Sequence, residues 1–166
     1  MRKPVKLALA VTAAAIATAT GVTVASAAPT ADHAAPGTEY IQVMSASVTP
    51  GPASAIARGV FTAAGQARLG NARIGTITFP GGTIVLSHRP VRNSSRFNPA
   101  DCLAVISQSG SYQIVRGTGR YAGINGHGTY QLSLEIVGAR TGGRCSSAKP
   151  PLAQQELLRL AGPVRR

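Results

Sequence analysis

Between residues 129 and 137 the chain alternates. Tyr130, Leu132, Leu134 and Ile136 fall on one side, and Gln131, Ser133 and Glu135 on the other, with Val137 the exception. A period of two belongs to a strand with one face in a core and the other in water. Residues 41–48, 55–63, 74–79, 83–88, 102–109 and 111–116 are further strand-length runs, rich in Ile, Val, Thr, Tyr or Phe and bounded by Gly, Pro, Asn or Ser. Tyr112 and Ile114 repeat the alternation against Gln113, although Val115 blurs it. Pro50-Gly51-Pro52 ends the first run, Pro80-Gly81-Gly82 reads as a tight hairpin, and Ser109-Gly110 either separates or bulges two later runs. The fold class is therefore all-β. The tail, 152–160, has residues of good helix propensity, yet Leu158 and Leu160 also suit an inward strand face. A closing strand ended by Gly162-Pro163 is the preferred reading, because an all-β sheet must hide its edge.

Residues 89–100 read as an irregular loop, with Arg89, Arg92 and Arg96 around Asn93-Ser94-Ser95. The triplet fits a glycosylation sequon, a short pattern that arises readily by chance. The loop's charge suits an anion or polymer contact, but three spaced arginines in a loop are more often simply solvated, and that is the preferred reading.

The start of the chain has a different character. Arg2, Lys3 and Lys6 precede an uncharged Ala/Thr/Val stretch, and Ala25-Ser26-Ala27 supplies a small-residue cleavage signal. Residues 1–27 are expected to be a signal peptide, 28–38 a flexible arm and 39–166 a single barrel domain, secreted or otherwise extracytoplasmic, with no membrane span after cleavage. Loss of the leader changes the charge from +12 to +9, with 14 basic residues against 5 acidic ones. Such a chain is expected either to meet anionic envelope polymer in a nonspecific, salt-sensitive way or to use its charge only to stay soluble. Its basic residues are scattered, so specific nucleic-acid reading is not expected. Aromatics make up only 4% and Trp is absent, which weakens any proposal of stacking platforms for sugars or bases.

In an exported chain, Cys102 and Cys145 are expected to form a disulfide and not a metal site or a catalytic thiol. Closing a loop of about 43 residues is worth roughly 4 kcal/mol on the chain-entropy argument. His33, His88 and His127 have no spacing that sets them beside a cysteine. No zinc motif or nucleophile elbow is present, and neither a metal nor a cofactor is expected.

The most distinctive segment is Gly117-Thr118-Gly119-Arg120-Tyr121-Ala122-Gly123-Ile124-Asn125-Gly126-His127-Gly128. A dinucleotide phosphate loop would open a helix here, but an alternating strand follows, and no acidic residue sits at the distance such a site requires. The glycines instead suit a folded crossover between strands, with Tyr121 and Ile124 as apolar plugs. This segment, preceded by Gly110-Ser111-Tyr112-Gln113-Ile114 and followed by Thr129-Tyr130, resembles secreted bacterial proteins of the allene oxide cyclase barrel-like class, whose barrel is shared with plant dirigent proteins. Phe79-Pro80-Gly81-Gly82-Thr83, Phe97-Asn98-Pro99 and Arg159-Leu160-Ala161-Gly162-Pro163-Val164 are similar to positions in the same group. The resemblance covers roughly residues 40–164 and implies a small antiparallel, lipocalin-like β-barrel with a central cavity. Its cyclising and coupling members carry acidic or basic groups inside the barrel, at positions with no match in this sequence.

Glu135 falls opposite Leu132 and Leu134, while Glu39, Asp101 and Glu156 fall at or near strand ends, so no carboxylate pair stands out. The leading functional expectation is a non-enzymatic barrel that binds a small apolar ligand or acts as a scaffold. Its pocket walls would come from Tyr112, Ile114, Tyr130, Leu132 and Leu134, with a fully packed bore as the competing expectation. The alternative is a cyclase or dirigent-type enzyme steering a reactive intermediate by enclosure. That alternative needs a charged or histidine side chain in the bore, and Arg58, Arg116 and Glu135 are the first to inspect.

Overall fold

A computed structural model describes residues 37–49, 51–69 and 73–166. The expected signal peptide and most of the expected arm lie outside the described residues. Ten strands form: β1 (Gly37–Ser45), β2 (Ala53–Arg58), β3 (Ala63–Leu69), β4 (Ile74–Phe79), β5 (Gly82–Asn98), β6 (Leu103–Gly117), β7 (Asn125–Val137), β8 (Ala139–Thr141), β9 (Arg144–Ser146) and β10 (Ala153–Arg165). Eight of them close into an antiparallel barrel of order β1-β10-β7-β6-β5-β4-β3-β2, and β8-β9 is a separate small hairpin. Closure removes the open edges that would otherwise invite pairing with other chains.

Alternation fills the bore from every side. Ile41 and Val43 on β1, Ile77 and Phe79 on β4, Ile84 and Leu86 on β5, Tyr112 and Ile114 on β6, Tyr130 on β7, and Leu158 and Leu160 on β10 are all buried. β2 and β3 supply only small groups to this core, chiefly Ala53, Ala55, Ala57 and Ala67. The wall is thus thick on one side and thin on the other, which lets large side chains from β5–β7 and β10 reach across.

The closing strand is real: β10 pairs with β1 along one edge and β7 along the other. It does not stop at Gly162-Pro163. Pro163 pairs with Thr38, while the ladder to β7 passes from Ala161 to Val164, so the proline falls where β7 makes no demand on its missing N–H.

The irregular loop expected at 89–100 is a correction. β5 continues through Arg89, Arg92 and Arg96 to Asn98, paired with β6 as far as Leu103. Every residue from Arg89 to Asn98 is exposed, so with no buried face there is no alternation for the sequence to display. Pro90 pairs with Gly110 and Arg92 with Ser109, leaving Val91 as the extra residue of a bulge. The irregularity signalled by Ser109-Gly110 therefore lies on the opposite strand, and β6 runs unbroken. A second correction concerns 55–63, which is not one strand. Gly59, at φ 139°, turns the chain between β2 and β3 in a conformation that side chains resist.

Cys102 and Cys145 are disulfide-bonded, tying the β5–β6 turn to β9. Among the described residues no helix is long and apolar enough to cross a membrane.

Candidate ligand cavity

The two ends of the bore differ. At one end Phe61, Phe79 and Tyr121 pack on one another with ring centroids 5.1–5.8 Å apart. Tyr121 belongs to a 3₁₀ turn, Gly119–Tyr121, and both Tyr121 and Ile124 are buried. The glycine-rich crossover thus acts as a plug. N–H of Arg120 donates to the carbonyl of Gly81 at 2.8 Å, pinning the crossover to the β4–β5 hairpin.

Away from this plug lies a cavity of ≈ 290 Å³. Leu69, Leu86, Leu132, Leu158 and Leu160 form its apolar walls, and His88, Gln108, Tyr112, Tyr130 and Glu156 its polar ones. Gly75 leaves part of the β4 wall bare. An adjoining hollow of ≈ 240 Å³ shares Leu69 and Glu156 and reaches Ser47, Thr49 and Gly51 between β1 and β2. A larger hollow of ≈ 740 Å³ lies mainly against Ser107, Ser109, Gln131, Ser133, Arg92 and Arg159, on the face opposite Tyr130, and so belongs to the exterior.

Three of the expected pocket residues, Tyr112, Tyr130 and Leu132, line the cavity. Ile114 is buried without lining it. Leu134 is half-buried, pairs with Ile106 and Glu156 in the ladders, and is also outside the lining. Tyr130 is held firmly: its hydroxyl donates to Oε1 of Gln108 at 2.8 Å, and the ring of His88 stands edge-on to it at 5.5 Å. Gly110 makes room for this ring, since a Cβ there would sit 2.9 Å from Tyr130 and against the carbonyl of Arg89.

Arg58, Arg116 and Glu135 are all exposed. The bore nevertheless holds acids. Glu39 is 1% exposed, and its Oε2 accepts a 3.1 Å hydrogen bond from the N–H of Phe61 while Oε1 has no partner. Burial raises its pKa, against the lowering effect of backbone donors at Phe61, Val60 and Arg58. The hydroxyl of Tyr112, 3% exposed, is likewise unpartnered. Burial, with the charge of Glu39 adding to it, pushes Tyr112 up to about 12, so its hydroxyl keeps its proton. Glu156 is half-buried, and desolvation raises its pKa as well. A carboxyl group that has lost water favours its neutral form.

Sequence reasoning left both acids at strand ends, although parity held the signal. Glu39 shares its face with Ile41 and Val43, and Glu156 with Leu158 and Leu160. Among the described residues, no cluster of three or more His, Cys, Asp or Glu could hold a metal ion. The arrangement can enclose a small, mostly apolar molecule and offer it a few hydrogen-bonding groups.

No protein-family model, curated protein or solved structure matches this chain. The closed barrel therefore stands on its own strand register, and the dirigent-like resemblance on the segments that carry it.

Proposed function

We propose that the protein is an exported carrier or scaffold whose barrel cavity binds one small, predominantly apolar molecule. The observation that carries this reading is the ≈ 290 Å³ cavity, walled by five leucines, in a bore whose other end is filled by the Phe61, Phe79 and Tyr121 cluster. That volume is at the lower limit of ordinary small-molecule sites, which join apolar walls with a few placed polar groups. Export is supported by the leader-like first 27 residues and by the disulfide, which persists in oxidising compartments. Membership of the allene oxide cyclase barrel-like class, supported by the glycine-rich crossover, agrees with the same use of the bore. Native mass spectrometry of protein recovered from its own secretion medium, with displacement of an apolar dye, tests the reading. A co-purifying ligand or a displaceable dye supports it; an empty protein that binds no apolar probe sinks it.

A second reading, a cyclase-type enzyme, gains support from Glu156, the acid that lines the cavity. A half-buried carboxyl in the cavity wall could exchange a proton with an enclosed molecule. Its test is conversion of the recovered ligand by the native protein and loss of that conversion in Glu156→Gln.

The exterior carries a further reading. Arg58, Arg92 and Arg159 border exterior hollows floored by serines and Gln131, a surface suited to weak contact with anionic envelope polymer.

A further inference from the structure

The acids on the barrel's inward face contrast with the basic residues that dominate its exterior. Four acids fall in the described residues, and two of them, Glu39 and Glu156, point inward on the parity of β1 and β10. Among the described residues, neither the cavity nor the adjoining hollow has an arginine or lysine in its lining. The hydroxyl of Tyr112, buried and unpartnered, supplies a further polar atom at the wall.

We propose that the cavity selects an apolar molecule bearing an ammonium or comparable cationic donor group, and rejects a carboxylate of the same length. This rests on the cavity reading above and names its ligand class. An ammonium group entering beside Glu156 finds an acceptor that has lost part of its water, together with the faces of Tyr112 and Tyr130, which favour cations. A carboxylate entering the same space would meet the acid Glu156 and, among the described residues, no arginine or lysine, so its lost hydration goes uncompensated. The arginines outside oppose this selectivity only weakly, because their field is screened within about 8 Å at physiological salt.

The groups facing Glu156 are Ser45 from β1, His88 from β5, Gln108 and Tyr112 from β6, and Tyr130 from β7, with Glu39 elsewhere on the inward face of β1. Of these His88 is the one basic side chain. A bound cation favours ionised Glu156, so binding releases a proton and weakens as the pH falls. His88→Gln removes the one basic side chain facing Glu156 and isolates the contribution of the carboxyl group.

Octylammonium, 1-octanol and octanoate, titrated by calorimetry into the full-length mature protein, provide the test. Octylammonium is expected to bind about tenfold or more tightly than octanoate, with octanol between them, a difference of about 1.4 kcal/mol or more. Glu156→Gln should cut octylammonium affinity about tenfold and flatten its pH dependence, while changing octanol affinity far less. Equal or tighter binding of octanoate overturns the inference and leaves the cavity reading standing. Octylammonium affinity that is the same in wild type and Glu156→Gln also overturns it. If none of the three probes binds, the cavity reading itself falls, and this inference with it.

Discussion

Oε2 of Glu39 accepts the N–H of Phe61, so the most deeply buried carboxyl in the described chain is tied to the turn between β2 and β3 while its second oxygen has no partner. The bond satisfies a buried backbone donor, but it does not replace the water lost by an ionised group.

Glu39→Gln should keep that acceptor and remove the charge. The folded-state pKa of Glu39 is raised, so its favourable contribution is complete below the unfolded carboxyl pKa and is lost as the pH rises through the folded value. The variant is expected to match the native protein in stability near pH 4 and to exceed it at pH 7. Thermal melts at both values read this directly. Glu39→Ala, which strands the Phe61 N–H, should instead lose about 1–3 kcal/mol near pH 4 and less at pH 7, where it also removes the buried charge.

Gly110 carries a steric prediction. A methyl group there meets the Arg89 carbonyl and the Tyr130 ring, neither of which is the free end of a flexible chain. Gly110→Ala should lower unfolding free energy by about 1–3 kcal/mol in urea titration. It should also perturb the Tyr130 ring, visible as a shift of its aromatic resonances.

How much of this was legible follows from which side chains had a reason to alternate. β7 announced itself because Tyr130 is buried while Gln131 is wet. β3, with Ala63, Ala64, Gly65, Gln66 and Ala67, is just as regular, but alanine and glycine on the thin wall leave no contrast. The second half of β5 is exposed on both faces, so its arginines read as loop. The plug at Tyr121 and Ile124 was visible because isolated apolar residues in a glycine-rich crossover need somewhere to go. The inward acids show only in the parity of Glu39 with Ile41 and of Glu156 with Leu158, because a carboxyl side chain by itself signals a wet face. The packing of Tyr130 on His88 and Gln108 depends on register across β5, β6 and β7, which no single strand encodes.

The disulfide gives a third prediction. Replacing Cys102 and Cys145 with serine releases a 43-residue loop and should destabilise the fold by up to about 4 kcal/mol. The melting temperature is expected to fall by roughly 10 °C, and reducing agent should reproduce the shift in the native protein but not in the double variant.

The basic exterior gives a fourth. Binding to heparin or to anionic vesicles should be measurable at low salt and fall steeply toward physiological salt, as counterion release requires. Affinity that is unchanged at physiological salt would identify a specific anion site instead of a diffuse field.

The cavity is tested most directly by filling it from its own wall. Gly75 lines the cavity, its φ lies outside the range that strains a side chain, and a Cβ there would rest at an ordinary 3.5 Å from Leu69. Gly75→Phe should therefore fold with the native circular dichroism spectrum while occupying the space between Leu69, Leu86 and Leu158. The deciding measurement is the fluorescence titration of an apolar dye into both proteins. Saturable one-to-one binding to the native protein, lost in a folded Gly75→Phe, is the predicted result; equal binding to both would place the dye outside the barrel and contradict the account.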